Sequence, residues 1–556
     1  MKPYFTLVPL AATLALGSAL AADLPDKNHF KIEILSKGFT DAMEMAIVAS
    51  GDIFITERTG ALKWYSPKSG EVKLVKQFEV SVKTGDKSRE TGLLGITAHP
   101  NFMKNGWIYV YYSPKKEEIH RLSRFTFKQG EISDEKVMLE ISQTREKKVC
   151  HEGGSLAFDG SGNLFLSTGD NTNPFDSDGY PPLDERDGRE QANSQRSSGN
   201  TNDLRGKILR ITPTDDGGYK IPEGNLFPAG TDDTRPEIFV MGCRNPWRIG
   251  TDKRNDTLYW GDVGPDARKT GPRGPKGYCE INQAATAGNY GWPYFVADNK
   301  AYAGFNFETN ELGEKFNPKA PLNQSRLNTG LEKLPPATTP LWFENRSCYC
   351  AGPVYYHSDY PESGDKLPEA LDSCLITYDW NNGHMQLTKL DEKGKMIWKE
   401  DFLSGKKFIH PSDVELGPDG AMYVLEYGSG WYDSKNGKLK KITYSATELA
   451  GGDDDGPDPR LEGLNMKHPG AALLAEATCL SCHQTQNKSI GPRYVDVADR
   501  YKDTAGAEKT LIDKIRNGGS GVWGDIPMPP HPQYNEEQVS QMVDAILSLD
   551  TGGHKE

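Results

Sequence analysis

Residues 162–170 read GNLFLSTGD, a short apolar run flanked on both sides by turn-forming residues. A run of this kind is typical of one β-strand of a hairpin. Comparable runs recur between residues 30 and 445, at 51–66, 106–113, 256–264, 373–390 and 419–428. Their irregular spacing argues against a solenoid and favours four-stranded sheets arranged radially, a six-bladed β-propeller in an all-β domain. A β-sandwich with insertions is the alternative fold that the pattern leaves open.

The length, composition and net charge of the chain limit the number of domains and the kinds of binding partner to expect. A chain of 556 residues is too long for one ordinary domain, so we expect at least two. A net charge of −13 argues against binding to nucleic acid or to an anionic membrane. The 58 glycines and 36 prolines favour a turn-rich β protein over a helical one.

Residues 1–21 have the pattern of a secretory signal peptide. Lys2 is followed by an apolar run and then by small residues, which predicts cleavage after Ala21. The apolar run is shorter than the ~20 residues that a membrane span needs, and no later stretch is apolar enough to cross a bilayer. We therefore expect an exported bacterial protein, periplasmic or secreted, without insertion into a membrane.

Export changes the interpretation of the eight cysteines. In an oxidising compartment six of them can pair as disulfides, with fifteen possible connectivities. These six are Cys150, Cys243, Cys279, Cys348, Cys350 and Cys374. The remaining two, Cys479 and Cys482, belong to a different motif.

Residues 478–484 read TCLSCHQ and contain a C-x-x-C-H motif. Two thiols at this spacing can bond covalently to the two vinyl groups of a haem, and the adjacent His483 can then reach the iron. A redox-active C-x-x-C would need no following histidine, and a zinc site would need a second pair of ligands. We therefore predict one covalent haem c, attached through Cys479 and Cys482, with His483 as an axial ligand of the iron.

The segments around this motif are similar to the small class I bacterial cytochromes c over roughly residues 463–550. The segments that carry the resemblance are SIGPRY (489–494), IRNGGSGVWG (515–524) and DIPMPPHP (525–532). The resemblance implies that Met528 is the second axial ligand, and His531 is the rival ligand. A helix that begins at Pro469 and another with Asn535 as its N-cap are predicted on either side.

The C-terminal part is thus predicted to be a small all-α cytochrome c domain, residues 463–556. It is preceded by LAGGDDDGPDPR (449–460), an acidic Gly/Pro-rich stretch with nothing to bury. We predict a linker over 448–462, and the propeller domain then occupies 22–447.

The propeller region is similar to the soluble quinoprotein sugar dehydrogenases, which include soluble glucose dehydrogenase, aldose sugar dehydrogenase and sorbosone dehydrogenase-like proteins. The matching segments, in order, are ETGLLGITAHPNF (90–102), HEGGSLAFDGSGNLFLSTGD (151–170), LRGKILRI (204–211), GCRNPWRI (242–249), EINQAATAGNYGWP (280–293) and GPDGAMYVLEYG (417–428). The resemblance implies a six-bladed propeller that binds pyrroloquinoline quinone (PQQ) and calcium at the mouth of its central channel.

The chemistry of alcohol oxidation explains which residues the resemblance singles out. Hydride can leave carbon only if a base removes the hydroxyl proton, and an imidazole with a pKa of ~6.5 suits that task near neutral pH. The resemblance implies that His151 is this base, that Asp170 orients it, and that Arg244 stabilises charge on the reduced quinone. A histidine packed at the start of a strand is the alternative for His151.

Further cofactor contacts follow from the same resemblance. Glu90 and Asn245 fall at positions beside cofactor or substrate, and Glu152 is a candidate substrate contact. Main-chain carbonyls of Gly264 and Pro265 match a calcium site next to the quinone. Glu280 and Tyr290 match a possible second calcium site.

The sequence departs from the family where the PQQ carboxylates are bound. Family members use a lysine and an R-x-R-D segment, whereas this chain has YDWNNG (378–383) and HPSD (410–413). Trp380 could stack on a planar quinone and His410 could donate one hydrogen bond. Bidentate guanidinium contacts are hard to replace, and the candidates to supply the missing cations are Arg248, Arg268 and Arg273.

Together these features predict an exported quinohaem oxidoreductase that oxidises a sugar or polyol. Its electrons would leave through the haem to an external one-electron acceptor, such as another cytochrome or a copper protein. One alternative is a calcium-dependent lactonase-like propeller, and another is a degenerate propeller that binds a glycan or partner while only the haem is redox-active. Cys150 and Cys243 are a candidate disulfide pair, because each directly precedes a candidate site residue, and Cα atoms more than about 7 Å apart would exclude the bridge.

Overall fold

The computed structural model describes residues 24–84, 87–146, 148–345, 347–406, 408–449, 458–524 and 528–550. The predicted signal peptide lies outside the described residues, as do residues 450–457 of the predicted linker. Among the residues that the structure describes, no helix combines the length and the apolar character needed to cross a bilayer.

Six sheets of four main strands form a propeller, which confirms the predicted all-β fold of this part of the chain. Numbered along the chain and from the innermost strand outwards, blade 1 has strands Ala42–Ile47, Ile53–Glu57, Ala61–Ser66 and Glu71–Gln77. Blade 2 has Leu93–Ala98, Trp107–Tyr112, Ile119–Lys128 and Glu131–Ser142. Blade 3 has Gly153–Phe158, Leu164–Thr168, Lys207–Pro213 and Ile238–Met241, extended by the short strands Tyr219–Lys220 and Gly288–Asn289.

The second half of the ring is built in the same way. Blade 4 has strands Pro246–Asp252, Thr257–Asp262, Tyr278–Ala284 and Trp342–Asn345. Blade 5 has Tyr349–Tyr355, Cys374–Asp379, Met385–Leu390 and Met396–Phe402. Blade 6 has Pro411–Leu416, Met422–Glu426, Gly437–Tyr444 and, as its outermost strand, Phe30–Phe39.

The ring is closed by the strand nearest the N-terminus. Phe30 lies opposite Tyr444 and Phe39 lies opposite Gly437, so the start of the propeller pairs with its end in an antiparallel sheet. The innermost strand of each blade packs against the innermost strands of both neighbours. A closed ring of this kind leaves no long unpaired sheet edge between its first and last blades.

Glycines allow the inner strands to approach closely. A Cβ atom on Gly95 of blade 2 would lie 1.9 Å from the carbonyl oxygen of Gly154 in blade 3. A Cβ atom on Gly250 of blade 4 would lie 2.1 Å from the carbonyl oxygen of Gly352 in blade 5. Only glycine fits at such distances, so the narrow channel depends on these positions.

The hairpin formed by the first two strands of each blade determines what reaches the mouth of the channel. In blade 3 the start of the inner strand pairs with the end of the second strand, Gly153 opposite Thr168. In blade 4 Pro246 is likewise opposite Asp262. Residues just before the first strand and just after the second strand therefore meet at one end of the channel, here called the mouth.

Short strands and helices lie in the connections of the propeller. Three two-stranded ribbons pair Lys83–Thr84 with Lys87–Ser88, Phe295–Val296 with Lys300–Ala301, and Ala303–Phe305 with Leu312–Lys315. One α-helical turn spans Phe102–Asn105. The 3-10 helices are Lys27–His29, Phe175–Ser177, Glu190–Ala192, Ser194–Arg196, His357–Asp359 and Glu369–Leu371.

The C-terminal part is all-α, as predicted. It contains the 3-10 helices Pro459–Leu461 and Thr478–Ser481 and the α-helices Pro469–Glu476, Tyr494–Tyr501, Ala507–Asn517 and Glu536–Leu547. Asn535 caps the last helix, because its Oδ1 accepts the Gln538 amide proton at 2.9 Å while the Gln538 side chain accepts from the Asn535 amide at 3.0 Å. A Cβ atom on Gly470 would lie 1.8 Å from the Gln541 carbonyl oxygen, so glycine lets the first and last helices cross closely.

Candidate active site and haem site

His151 and Asp170 meet at the mouth in blade 3. His151 lies just before the inner strand, Asp170 lies just after the second strand, and Nδ1 of His151 is 2.7 Å from Oδ1 of Asp170. The amide of His151 donates to Oε2 of Glu90 at 2.7 Å, and its backbone has the left-handed φ of 70°. A Cβ atom on Gly169 would lie 2.1 Å from the His151 carbonyl oxygen, so glycine is required for this close approach.

Asp170 is fully buried and has three hydrogen-bonding side chains around it. Its Oδ2 accepts from the Ser194 hydroxyl at 2.9 Å and from the Trp292 indole N–H at 2.9 Å. Burial opposes the negative charge, but His151, Arg244 and the Trp292 N–H together outweigh burial and hold the pKa of Asp170 below its ordinary value. The ionised carboxylate therefore fixes the Nδ1–H tautomer of His151 and leaves Nε2 as a potential proton acceptor.

Sequence reasoning missed Ser194 and Trp292. Trp292 lies within one of the segments that carry the family resemblance, but no pattern in the sequence marks Ser194. Both residues are far from Asp170 along the chain, so only the folded structure brings them to it.

Arg244 and Asn245 attach blade 4 to the same site. The amides of both residues donate to the Asp262 carboxylate, at 3.0 and 2.7 Å. The Arg244 carbonyl accepts from the Asp170 amide at 2.9 Å, and its guanidinium lies 5.8 Å from the centre of the Trp292 ring. These contacts place the positive charge of Arg244 beside the His151–Asp170 pair.

The side chains of these two residues have separate partners. Nη1 of Arg244 donates to the Val263 carbonyl at 2.9 Å, and its guanidinium lies 3.8 Å from the Asp266 carboxylate. Oδ1 of Asn245 accepts from the Gly153 amide at 3.1 Å and so ties blade 4 to blade 3.

The predicted calcium ligands surround a small buried cavity beside Arg244. Gly264, Pro265, Glu280 and Tyr290 all line it, together with Asp262. Burial raises the pKa of Asp262 to about 6, and burial together with the nearby Asp262 raises the pKa of Glu280 to about 8. The oxygens of two buried carboxylates are ligands that suit a hard divalent cation such as calcium.

The cavity does not by itself establish a metal site. Among the described residues no group of three or more His, Cys, Asp and Glu side chains could hold a metal ion. The Tyr290 hydroxyl donates its proton to the Gln283 carbonyl. Calcium at this position stays a prediction.

Trp380 and His410 lie together on the other side of the mouth, in blades 5 and 6. Their rings stack with centroids 4.2 Å apart and an angle of 13°. The indole Nε1 of Trp380 and Nε2 of His410 are buried and have no hydrogen-bond partner among the described residues. Unpaired buried polar atoms are rare and indicate that a ligand or water completes the site.

The hydrogen-bond polarity of His410 differs from the prediction. Its Nδ1 lies 2.7 Å from the Gly428 carbonyl oxygen and must therefore carry a proton. Burial, assisted by Arg460, lowers the pKa of His410 to about 3, so the ring is neutral and Nε2 is an acceptor. His410 cannot donate the predicted hydrogen bond to a cofactor carboxylate, whereas the Trp380 N–H can.

The three arginines predicted to supply missing cations are engaged elsewhere. Arg248 lies inside the channel, where it donates to the carbonyls of Ser412, Trp247 and Met43 at 2.8, 2.7 and 2.6 Å. Arg268 donates to the Met528 carbonyl at 3.3 Å, and Arg273 donates to the Ser177 carbonyl at 3.1 Å.

Arg58, a further cation, lies nearer the site. It directly follows the second strand of blade 1 and lies 4.7 Å from the centre of the Tyr432 ring. Its Nε and Nη2 donate to Asp41 at 3.1 and 2.6 Å, and its Nη1 donates to the Arg89 carbonyl at 3.0 Å. Tyr432 follows Trp431, whose ring packs against Trp380 at 4.9 Å. The Arg58 charge is therefore paired with Asp41, and Arg244 and the Trp380 N–H are the groups at the mouth that fit a planar anionic quinone.

Glu152 is not available to a substrate, contrary to expectation. Its carboxylate accepts from Gln143 at 2.7 Å, lies 2.8 Å from Nε2 of His120 and contacts Asn171. Glu152 is 4% exposed and belongs to a buried network of polar side chains next to His151.

The structure does not contain the disulfide suggested between Cys150 and Cys243. The two thiols lie in different surroundings. The Cys150 thiol is near the carboxylate of Glu90, whereas Cys243 is buried among core residues that include Trp260.

The contacts of His483 in the haem motif fit those of an axial haem ligand. Nδ1 of His483 is 2.8 Å from the Pro492 carbonyl oxygen, and the ring stacks on Tyr494 with centroids 5.3 Å apart. A Cβ atom on Gly491 would lie 2.5 Å from the His483 ring, so glycine makes room for it. Burial lowers the pKa of His483, and the neutral ring keeps Nε2 free for iron. Together with Cys479 and Cys482, this arrangement fits a covalent haem.

Met528 lies on a loop held by two backbone hydrogen bonds to Gly519, at 2.8 and 3.1 Å. The amide of His531 donates to the Ile515 carbonyl at 2.9 Å, which fixes the rival ligand on the same loop. Residues 525–527 before Met528 are outside the described part of the chain. The choice of Met528 as the ligand stays a prediction.

Comparisons with known proteins agree with this architecture. The sequence model of the Glucose / Sorbosone dehydrogenase family matches residues 39–440, and that of the Cytochrome c family matches residues 468–550. The aldose sugar dehydrogenase YliI of Escherichia coli (strain K12) is 25% identical over 450 residues, which cover 79% of this chain and 98% of that protein. Cytochrome c-551 of Pseudomonas aeruginosa is 48% identical over 76 residues, which cover 14% of this chain and 72% of that protein.

A solved structure shows the same fold. The soluble aldose sugar dehydrogenase from Escherichia coli in its apo-form aligns with a TM-score of 0.50 and 21% identity, covering 75% of this chain and 99% of that chain. At this level of identity the match supports the fold alone.

Proposed function

This chain belongs to the glucose/sorbosone dehydrogenase family and carries a C-terminal cytochrome c domain, and from that premise we propose that it is a quinohaem dehydrogenase. It oxidises a sugar or a related alcohol or aldehyde at the propeller mouth and passes the electrons through haem c to an external one-electron acceptor. Export to the periplasm and the domain limits 22–447 and 463–556 are parts of the same proposal.

The observation that carries this proposal is the His151–Asp170 pair at the channel mouth. A buried carboxylate 2.7 Å from Nδ1 gives the imidazole a fixed tautomer and stabilises its protonated form. Nε2 of His151 can then take the hydroxyl proton of the substrate while its C–H bond breaks. Asp170 needs no proton itself, because Ser194 and Trp292 donate to its second oxygen.

The residues around this pair fit the cofactors that the family uses. PQQ, when bound, supplies a two-electron acceptor, and the cation of Arg244 with the Trp380 N–H would hold its anionic groups. Glu280, Asp262 and the Gly264-Pro265 segment would hold calcium beside it. Glu90, which accepts the His151 amide, would fix the position of the base.

The electron count gives the second domain a role. Oxidation of one alcohol group to a carbonyl releases two electrons and two protons. A haem c supplies a one-electron step between ferric and ferrous iron, so the external acceptor must react twice for each substrate molecule. His483, oriented by the Pro492 carbonyl, and Met528 would hold that iron.

The family match favours this function over the alternatives. A lactonase would have no use for a fused cytochrome. The presence of His151, Asp170 and Arg244 together argues against a propeller that only binds a glycan or partner. The match to a sugar dehydrogenase family over residues 39–440 supports redox chemistry in the propeller itself.

The test is sugar-dependent reduction of the haem. Purified protein with covalent haem is mixed with PQQ and calcium, and the absorbance of reduced haem is followed while aldoses, sorbosone-like aldehydes and polyols are added. We expect reduction with at least one sugar and none without PQQ. Absence of reduction with every substrate, while dithionite still reduces the haem, would contradict the proposal.

A further inference from the structure

Two side-chain hydrogen bonds join the haem domain to the propeller. The Gln484 amide donates to the carbonyl of Ser429 in the loop after blade 6's second strand, and Arg268 of blade 4 donates to the Met528 carbonyl at 3.3 Å. Gln484 directly follows His483 in the chain. Each contact therefore involves a segment that carries a candidate axial ligand of the haem.

The propeller side of the first contact is held rigidly. The Ser429 amide donates to Oδ1 of Asn436 at 2.9 Å, and Nδ2 of Asn436 donates to the Ser429 hydroxyl at 2.9 Å. The same loop is tied to blade 1, where Oδ1 of Asp41 accepts from the Ser434 amide at 2.7 Å. The Ser429 carbonyl is thus a fixed acceptor, as a specific interface requires.

The haem-domain side is buried. Gln484 is 1% exposed and Arg460 is 4% exposed, although both are long polar side chains. The Arg460 carbonyl accepts from the Thr485 amide at 2.8 Å, and its guanidinium is bound to Asp458 at 2.9 Å. Polar side chains of this kind are rarely buried without a structural reason, so the contact is a built interface.

The first contact also completes a continuous connection from the mouth to the haem motif. Trp380 stacks on His410, whose Nδ1 donates to the Gly428 carbonyl at 2.7 Å. Ser429 is the next residue, and its carbonyl accepts from Gln484, the neighbour of His483. A continuous series of covalent bonds and hydrogen bonds thus connects His410 at the mouth with His483, the candidate iron ligand.

The second contact leads back to the active site as well. Arg268 is two residues from Asp266, whose carboxylate lies 3.8 Å from the Arg244 guanidinium. The adjacent Ala267 is fixed, because its amide donates to the Gly179 carbonyl at 2.9 Å. Arg268 therefore projects from an anchored loop of the site.

We propose that the haem domain is locked on the propeller mouth through Gln484 and Arg268, and that Gln484 is the positioning residue for electron exit from the mouth. The electron-transfer part of this inference rests on the proposed function, whereas the docking of the haem domain does not. The docked arrangement makes the transfer intramolecular and leaves the opposite face of the haem domain to the external acceptor.

The experiment compares Gln484→Ala, Gln484→Glu and Arg268→Ala with the wild-type holoprotein. Gln484→Glu keeps the size of the side chain but removes its donor. The matched control is Arg254→Ala, an exposed arginine whose partner Asp359 also lies on the propeller. Readouts are the radius of gyration from small-angle X-ray scattering, the haem spectrum and midpoint potential, and the rate of sugar-driven haem reduction.

We expect both Gln484 variants to lower the rate of haem reduction by about tenfold or more, with an unchanged haem spectrum, because a buried donor bond is lost. Arg268→Ala should lower it by roughly threefold, because its contact is exposed and long. The radius of gyration should rise in the Gln484→Glu, Arg268→Ala double variant and stay unchanged in Arg254→Ala.

An unchanged rate and radius of gyration in the double variant would overturn the proposal while leaving the dehydrogenase function intact. If the wild type shows no sugar-driven reduction, the proposed function fails, and scattering alone decides the docking. A midpoint potential that shifts along with the rate would assign the effect to haem tuning and would also contradict the positioning role.

Discussion

Two Cys-His dipeptides of this chain have nearly the same sequence and different surroundings. Cys150-His151 lies at the mouth of the propeller, and Cys482-His483 lies in the haem domain. In both, Nδ1 of the histidine has a hydrogen-bond partner within 2.8 Å. That partner is the carboxylate of Asp170 in the first case and the Pro492 carbonyl in the second.

The difference in partner explains the difference in chemistry. A buried carboxylate stabilises the imidazolium, so His151 can accept a proton during a reaction. At His483 burial lowers the pKa by more than the hydrogen bond to the Pro492 carbonyl raises it, so the ring is neutral. His483 is therefore suited to be a neutral metal ligand, whereas His151 is suited to be a base.

The largest expected effect comes from exchanging each histidine for alanine. His151→Ala should lower the rate of sugar-driven haem reduction by about 10²–10⁴-fold without changing the haem spectrum, because it removes only the base. His483→Ala should change the haem spectrum and leave the thermal unfolding of the propeller unchanged. Stopped-flow absorbance and calorimetry measure both outcomes.

A control for this comparison is His357→Ala, on a 3-10 helix of blade 5 with no buried residues. It should affect neither readout. If the His151→Ala protein keeps wild-type activity, His151 is not the base, and the contrast between the two histidines fails.

The partner of His151 can be changed without removing the ring. Asp170→Asn should lower the rate by about 10–100-fold, because the amide neither fixes the tautomer nor stabilises the imidazolium. The rate of sugar-driven haem reduction measures this loss, and a wild-type rate in Asp170→Asn would be inconsistent with the assigned role.

Asp170 itself has a consequence for acid stability. Its pKa is lowered in the folded state from 3.8, so it contributes stability that is present above that value. This stability is lost as pH falls through the lowered folded pKa. Acid unfolding of Asp170→Asn should lack this contribution.

The buried Glu280 has the opposite sign of pH dependence. Folding raises its pKa from 4.5 to about 8, so its contribution is fully present below pH 4.5 and is lost as pH rises through about 8. Glu280→Gln should therefore be more stable than wild type at pH 9 by about 1–3 kcal/mol, and similar to it at pH 4. Calorimetry at the two pH values measures the difference.

Calcium provides the control for this carboxylate. If Glu280 holds the cation, calcium should raise the melting temperature of the wild type at pH 8 and should raise that of Glu280→Gln much less. Equal stabilisation of the two proteins would place calcium elsewhere.

The smallest expected effect concerns the cysteines of the mouth. Because the thiols are free, Cys150→Ser should change the free energy of unfolding by no more than about 1 kcal/mol, and a reducing agent should leave the melting temperature unchanged. A structural disulfide would contribute about 2–5 kcal/mol, which a fall in melting temperature on reduction would reveal.

The sequence by itself was enough for features whose chemistry is local. The two thiols and the histidine of TCLSCHQ lie within five residues, so covalent haem attachment depends on spacing alone. Runs such as GNLFLSTGD likewise indicate strands through turn residues and apolar residues that are neighbours in the chain. The propeller and the all-α C-terminal domain were predictable for this reason.

Only the tertiary structure decided which groups complete the site. Ser194 and Trp292 donate to Asp170 although they are 24 and 122 residues away from it along the chain. Arg248 donates to carbonyls inside the channel and is not available to a cofactor. Glu152 was expected at the substrate and is buried in a network instead. Hydrogen-bond partners and burial depend on how blades distant in sequence pack around one axis, and no local pattern of residues records that packing.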